Sequence, residues 1–248
     1  ISGAAIASSL AEMGSLIVLC IYTGVKIDKD KYGLKPVYDG RLLVKVLNLS
    51  VWSMLHAFIS VAPWFLFFVA IEHLGKTELA ISNITRSVSA LFFVIANSFA
   101  VTTGSLVSNA IGAGARNALF PICHKILKLG YAVGFPLVIV ALLCNHWIVG
   151  FYTDSALLIE LAFAPFVVML LNYTFALPGY VYLNAVGGTG KTKITFLFQV
   201  TTTCVYLAYL YWLSFCIDAS LSLYLTAEYL FVILLALQSI IYLKSKHY

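Results

Sequence analysis

The chain has 248 residues, 62% of them hydrophobic and only 10% charged, with a mean hydropathy of +0.97 and a net charge of +5. Soluble domains run nearer half apolar and a quarter charged, so this balance excludes an ordinary soluble domain. Apolar runs of 18 or more residues recur along the whole length, which predicts an all-α polytopic membrane protein with the lipid bilayer as its surroundings.

Seven spans are expected in chain order. Ile1–Thr23 already reads as a span, without the charged start and small-residue cleavage site of a signal peptide. The expectation is therefore a chain that begins partway through a longer protein. A polar linker, Val25–Gly40, holds Lys26, Lys29, Lys31 and Lys35 among Asp28, Asp30 and Asp39. The second helix, about Arg41–Leu74, is longer than the roughly 20 residues a bilayer needs, so RLLVKVLN at its start is read as an amphipathic interfacial turn. The others are about Thr77–Ile111, Leu127–Tyr152, Ser155–Val186, Lys193–Cys216 and Leu221–Leu243.

The basic residues crowd into alternate loops. Lys26 to Lys45, then Arg116, Lys125 and Lys128, then Lys191 and Lys193, then Lys244 and Lys246 fall after the first, third, fifth and seventh helices. The remaining loops hold only Lys76. The positive-inside rule then puts residue 1 outside and the C-terminus in the cytoplasm of a cell whose inner membrane the protein crosses repeatedly. Charge distributed this way reports topology rather than a nucleic-acid partner.

Few residues in the spans carry chemistry. Arg86 lies about 13 Å into the third helix, where a charge normally faces a cavity or a partner. At helical spacing Asn83, Arg86, Ser87, Ala90, Asn97, Gly104, Ser105 and Ser108 form one stripe that either lines a polar path or packs inside the bundle, with Arg86 snorkelling outward. Glu12 sits mid-span on a small-residue face with Ala4, Ala7, Ser8, Ala11 and Ser15, and reads either as a cation-coupling acid or as a neutral hydrogen-bonded group. His56 and Ser60 lie one turn apart just before Pro63, and Asn172, Tyr173 and Thr174 precede Pro178 and Gly179. These are candidate cavity linings, with Pro63, Pro178 and Gly179 as candidate hinges or plain packing kinks. Glu228 is a mid-span acid with no partner visible in the sequence.

Other chemistries find no support. The five cysteines are scattered, and the five histidines form no metal-ligand spacing, so neither a disulfide framework nor a metal is expected. Ala185–Thr192, AVGGTGKT, fits a relaxed phosphate-loop pattern, but it joins two apolar spans where a real phosphate loop joins a strand to a helix. It is read as a tight turn. No nucleophilic triad or carboxylate pair suggests an enzyme.

Four segments in order resemble the multidrug and toxic compound extrusion (MATE) family. GAAIAS, Gly3–Ser8, resembles the start of that family's sixth helix, and EHLGKTELAISNI resembles its loop into the eighth. SNAIGAGAR, Ser108–Arg116, resembles its GQxLGAG turn, and LNAVGGTGKT, Leu183–Thr192, its turn after the tenth helix. The motifs cover Ile1 to about Phe196; the last two spans fit by position. The resemblance implies a two-lobe, twelve-helix transporter. Here residues 1–23 would be the last helix of the N-terminal lobe, 24–40 a cytoplasmic linker, and 41–248 the six-helix C-terminal lobe. The partner implied is the missing N-terminal lobe. The activity implied is antiport: export of organic cations or amphipathic drugs, driven by Na+ or H+ with no other cofactor, by alternating access. Ser8 would match the family's sixth-helix hydroxyl. The acids of the family's C-lobe cation site would fall near Ser60 and Ala176, neither acidic, which leaves coupling to the other lobe with help from Glu12. A lipid-linked oligosaccharide flippase of the same fold and a non-transporting membrane subunit are the alternatives. A flippase would need several cavity cations, and only Arg86 qualifies.

Overall fold

In a computed structural model, the residues described are 2–26, 38–217 and 219–245. All regular structure among them is helical. The long helices are α1 (Ser2–Lys26), α2 (Gly40–Ile71), α3 (Lys76–Gly112), α4 (Leu119–Leu143), α8 (Thr192–Cys216) and α9 (Leu221–Lys244). Between α4 and α8 lie three shorter ones, α5 (Asn145–Gly150), α6 (Ala156–Leu171) and α7 (Tyr173–Gly188). Counting α6 and α7 as one crossing, 7 segments are long and apolar enough to span a membrane. In lipid this follows from chemistry: each backbone N–H and C=O must be bonded within its own segment, and a helix does that.

The chain divides into two contact units, residues 1–46 and 47–248. In the first, α1 is mostly apolar, and Glu12 is exposed on it. Ser8 lies on α1, but its side chain is outside the described residues, as is 27–37 of the expected linker. The second unit holds the core. There α3 packs against α7, α4 and α6, while α9 packs against α7 and α8.

One expected feature is missing and one expected boundary changes. The second helix has no separate interfacial turn: α2 runs without a break from Gly40, its start capped by Asp39 Oδ1, which accepts from Arg41 N at 2.9 Å and Leu42 N at 3.1 Å. A cap that satisfies the first free N–H groups lets the helix begin there, and 32 residues then give a rod of about 48 Å. The fourth helix begins at Leu119, eight residues before the expectation, with Pro121 in its first turn, where a missing N–H costs nothing. AVGGTGKT joins two helices: Ala185–Gly188 end α7, residues 189–191 turn with Gly190 at φ 81°, and Thr192 begins α8.

The expected fifth span is one crossing made of α6 and α7, which meet at Asn172. That residue keeps helical angles (φ −56°, ψ −26°), its N donates to Val168 O at 3.3 Å and its O accepts from Ala176 N at 2.9 Å. Pro178 has no N–H to give the carbonyl of Thr174, one turn earlier. Tyr131 of α4 supplies the replacement, its Oη donating to Thr174 O at 2.7 Å. One residue away the bond runs in reverse, Tyr173 Oη donating to Gly130 O at 2.8 Å. Tyr229 of α9 donates to Val168 O, one turn before Asn172. The Tyr131 hydroxyl thus covers the one of these carbonyls that Pro178 leaves without its helical donor, while Val168 O also accepts from Asn172 N at 3.3 Å. Gly134 makes the approach possible, since a Cβ there would lie 2.2 Å from the Tyr173 ring.

Candidate functional site

The site is built around Arg86. A guanidinium in mid-span is expensive to bury, about 2.5–3.5 kcal/mol on insertion scales, unless it is paired. Glu228 of α9 pairs it, with Oε1 at 3.1 Å from Arg86 Nη2. The side chains are 4% and 14% exposed. Tyr206 of α8, fully buried, donates to the same carboxylate oxygen at 3.3 Å. Aromatic rings of α2 cover the cation: the guanidinium carbon lies 4.2 Å from the Trp64 ring centroid and 4.4 Å from that of Phe67. Four helices therefore meet on one neutralised charge.

This arrangement corrects one expectation and decides another. Glu228 is not a lone acid, because Arg86 is its partner. Arg86 lines a cavity, as one of the two readings had it, and does not snorkel outward, because its charge is held by Glu228 and packed under rings. Removing either partner would leave the other charged and buried, which typically costs about 3–5 kcal/mol.

Beside the pair is a cavity of about 180 Å³, lined by α2, α3, α6, α7, α9 and Asn172. Trp64, Phe92, Phe93, Tyr173, Tyr180 and Phe231 make its walls largely aromatic. Arg86 and Asn172 line it, and Arg86 Nε and Nη1 and Asn172 Oδ1 are buried with no hydrogen-bond partner among the described residues. A buried polar group left unpaired costs about 1–3 kcal/mol, so three of them on residues that line one cavity mark a place built to meet something polar.

The candidate residues distribute unevenly. Ser60, Pro63, Arg86, Asn172 and Tyr173 line this cavity. His56 lines a second, more polar cavity of about 640 Å³ with Ser53, Gly104, Ser105, Ser108 and Asn184. Asn83 and Asn97 line neither: both are exposed, and Asn83 Nδ2 donates to Leu79 O at 3.0 Å within its own helix. The polar stripe of α3 is thus split between two cavities and an outer face. Pro63 is buried within an unbroken α2. Gly179 allows close packing, since a Cβ there would lie 2.7 Å from Val232 O of α9. The sequence reading missed Trp64, Tyr180 and Tyr206. One tyrosine among fifteen in apolar spans carries no mark of its partner.

Ala176, where the resemblance would place an acid, also lines the first cavity. The acid there is Glu228 instead, contributed by the last helix. Among the described residues no group of three or more His, Cys, Asp or Glu could hold a metal ion.

Comparison with known proteins follows the fold. The MatE family model matches residues 53–213. No curated protein matches the chain. Among solved structures, a MATE protein in complex with MaL6 aligns with a TM-score of 0.78 at 16% identity, over 94% of this chain and 54% of that one. An outward-facing multidrug resistance MATE transporter of the MOP superfamily aligns at 0.67 and 17%, over 79% and 43%. A MOP superfamily transporter from Pyrococcus furiosus, described as having a binding pocket of reverse polarity, gives the same figures, 0.67, 17%, 79% and 43%. At such identities these likenesses speak to the fold, and the chain spans about half the length of each. The helices, the seven candidate spans and the match over the core agree: the chain belongs to the MatE family of membrane transporters.

Proposed function

We propose that this chain is the C-terminal lobe, with the preceding helix, of a cation-coupled antiporter that exports organic cations and amphipathic drugs by alternating access. The observation that carries the reading is the aromatic cavity beside Asn172, where α6 meets α7. Transporters place cargo sites near mid-membrane, where side chains of neighbouring helices face a cavity. Aromatic walls suit a flat amphipathic cargo.

Coupling by Na+ or H+ rests on acids. Glu228 is the acid of this cavity and is engaged by Arg86, so an entering cation would have to displace that bond. Glu12 and Ser8 on α1 are the remaining candidates, acting with the N-terminal lobe. Pro63 and Pro178 are the proposed flexing points. The protein would sit in the inner membrane with a cytoplasmic C-terminus, following the basic loops. A flippase for lipid-linked sugars is less favoured, because the one cation of this cavity is already neutralised and offers little to a pyrophosphate.

Proteoliposomes carrying the full-length protein test this. Ethidium movement should follow an imposed Na+ or pH gradient and stop when the gradient is collapsed. Movement indifferent to both gradients would sink the antiporter reading, and no movement of any dye would favour a non-transporting subunit.

A further inference from the structure

The unpaired groups around the first cavity specify what it can accept. Arg86 is 3% exposed and Asn172 8%, so neither reaches bulk solvent. One nitrogen of the guanidinium is committed to Glu228, while Nε and Nη1 have no acceptor among the described residues. Asn172 Oδ1, where α6 meets α7, has no donor among them. Both residues line the cavity, which can therefore offer hydrogen-bond donors and an acceptor among aromatic walls.

Its size and charge narrow the choice. An engineered cavity of about 150 Å³ takes up benzene, so about 180 Å³ holds roughly one ring with a small substituent. The net charge is zero, because Glu228 already balances Arg86. A ligand carboxylate bonding Arg86 would sit beside the Glu228 carboxylate, and a ligand ammonium would sit beside the guanidinium. Each brings like charges together in a medium of low dielectric, where repulsion is strong. An uncharged group that both accepts and donates avoids either penalty.

We propose that this cavity is a subsite for an uncharged planar ring bearing adjacent acceptor and donor groups, as in an aryl carboxamide or a lactam. Arg86 donates to its carbonyl, Asn172 accepts from its N–H, and the rings of Trp64, Phe92 and Tyr173 flank its faces. A charged portion of a larger cargo stays outside the subsite. The inference rests on the reading of this cavity as a cargo site and names the part of the cargo that enters it.

Isothermal titration calorimetry on the full-length protein in detergent, with four probes of one shape, tests it. Benzamide should bind at least tenfold tighter than benzoate, benzylamine in its protonated form, or ethylbenzene. Asn172→Leu should weaken benzamide at least tenfold and leave ethylbenzene within about twofold. Because Asn172 lies at the junction of two helices, a second variant guards against misfolding. Arg86→Met with Glu228→Gln removes the donors without orphaning a charge, and should also erase the benzamide preference. Benzoate or benzylamine binding as tightly as benzamide would overturn the proposal, as would a benzamide preference surviving both variants, or no binding by any probe. Transport without a benzamide preference overturns the subsite alone. Benzamide binding without gradient-driven transport overturns the antiporter reading and leaves the subsite standing.

Discussion

Arg86 and Glu228, 142 residues apart, meet at 3.1 Å and tie α3 to α9 beside the aromatic cavity. The bond neutralises the most expensive charge in the core, and Tyr206 adds a third element to it. Burying such a pair brings little net stability over apolar residues of the same volume, but breaking it is costly.

The pair predicts a characteristic mutant pattern. Arg86→Ala or Glu228→Ala alone should destabilise the protein by about 3 kcal/mol, somewhat under the usual cost for a broken buried pair because Glu228 keeps some exposure. Arg86→Met combined with Glu228→Leu should recover most of that loss. Thermal unfolding in detergent distinguishes the cases; two single variants as stable as the parent would show that the pair is not formed.

The two tyrosine clasps give a coupled prediction. Tyr131→Phe should cost about 1 kcal/mol through the orphaned Thr174 carbonyl. Pro178→Ala restores an N–H one turn on, so in that background Tyr131→Phe should cost much less. A double-mutant cycle by chemical denaturation measures the coupling. Strict additivity would mean that the hydroxyl is not substituting for the missing helical bond.

Close packing at α7 and α9 is tested at glycine. Gly179→Ala would put a methyl 2.7 Å from the backbone oxygen of Val232, which cannot rotate away, so a loss of about 1–3 kcal/mol is expected. Gly150→Ala is the control, since nothing lies within 4 Å of the added carbon. Equal melting temperatures for the two variants would contradict the close crossing.

Topology gives a prediction independent of the core. In a cysteine-less background, Ala115→Cys should react with an impermeant maleimide from the cytoplasmic face, and Lys76→Cys and Asp154→Cys from the outside. Labelling with the opposite sidedness would invert the assignment drawn from the basic loops.

Much of the architecture could be read from the chain alone. Apolar runs specify spans because lipid leaves the backbone only one economical way to satisfy its own hydrogen bonds, and that constraint is local to each run. The glycine turns at 112–116 and 189–191 were legible for the same reason: a reversal between two helices needs particular backbone angles at particular places. Helix ends were less legible, as the early start at Leu119 shows, because a helix end depends on a few side chains rather than on overall hydropathy.

The site divides along the same line. The sequence alone marked Arg86 as a charge that needed explaining, since depth in a span follows from counting residues. It also placed Ser60, Asn172 and Tyr173 near kinks, and these do share one cavity with Arg86. Only the tertiary structure decided that Glu228 is the partner, that Tyr206 joins them, and that Asn83 and Asn97 point elsewhere. Helical periodicity says which residues share a face, but not which neighbour that face meets, nor where along a 37-residue helix one cavity ends and another begins. Those choices depend on how α3, α7 and α9 pack together, and no local pattern in the chain encodes a contact across 142 residues.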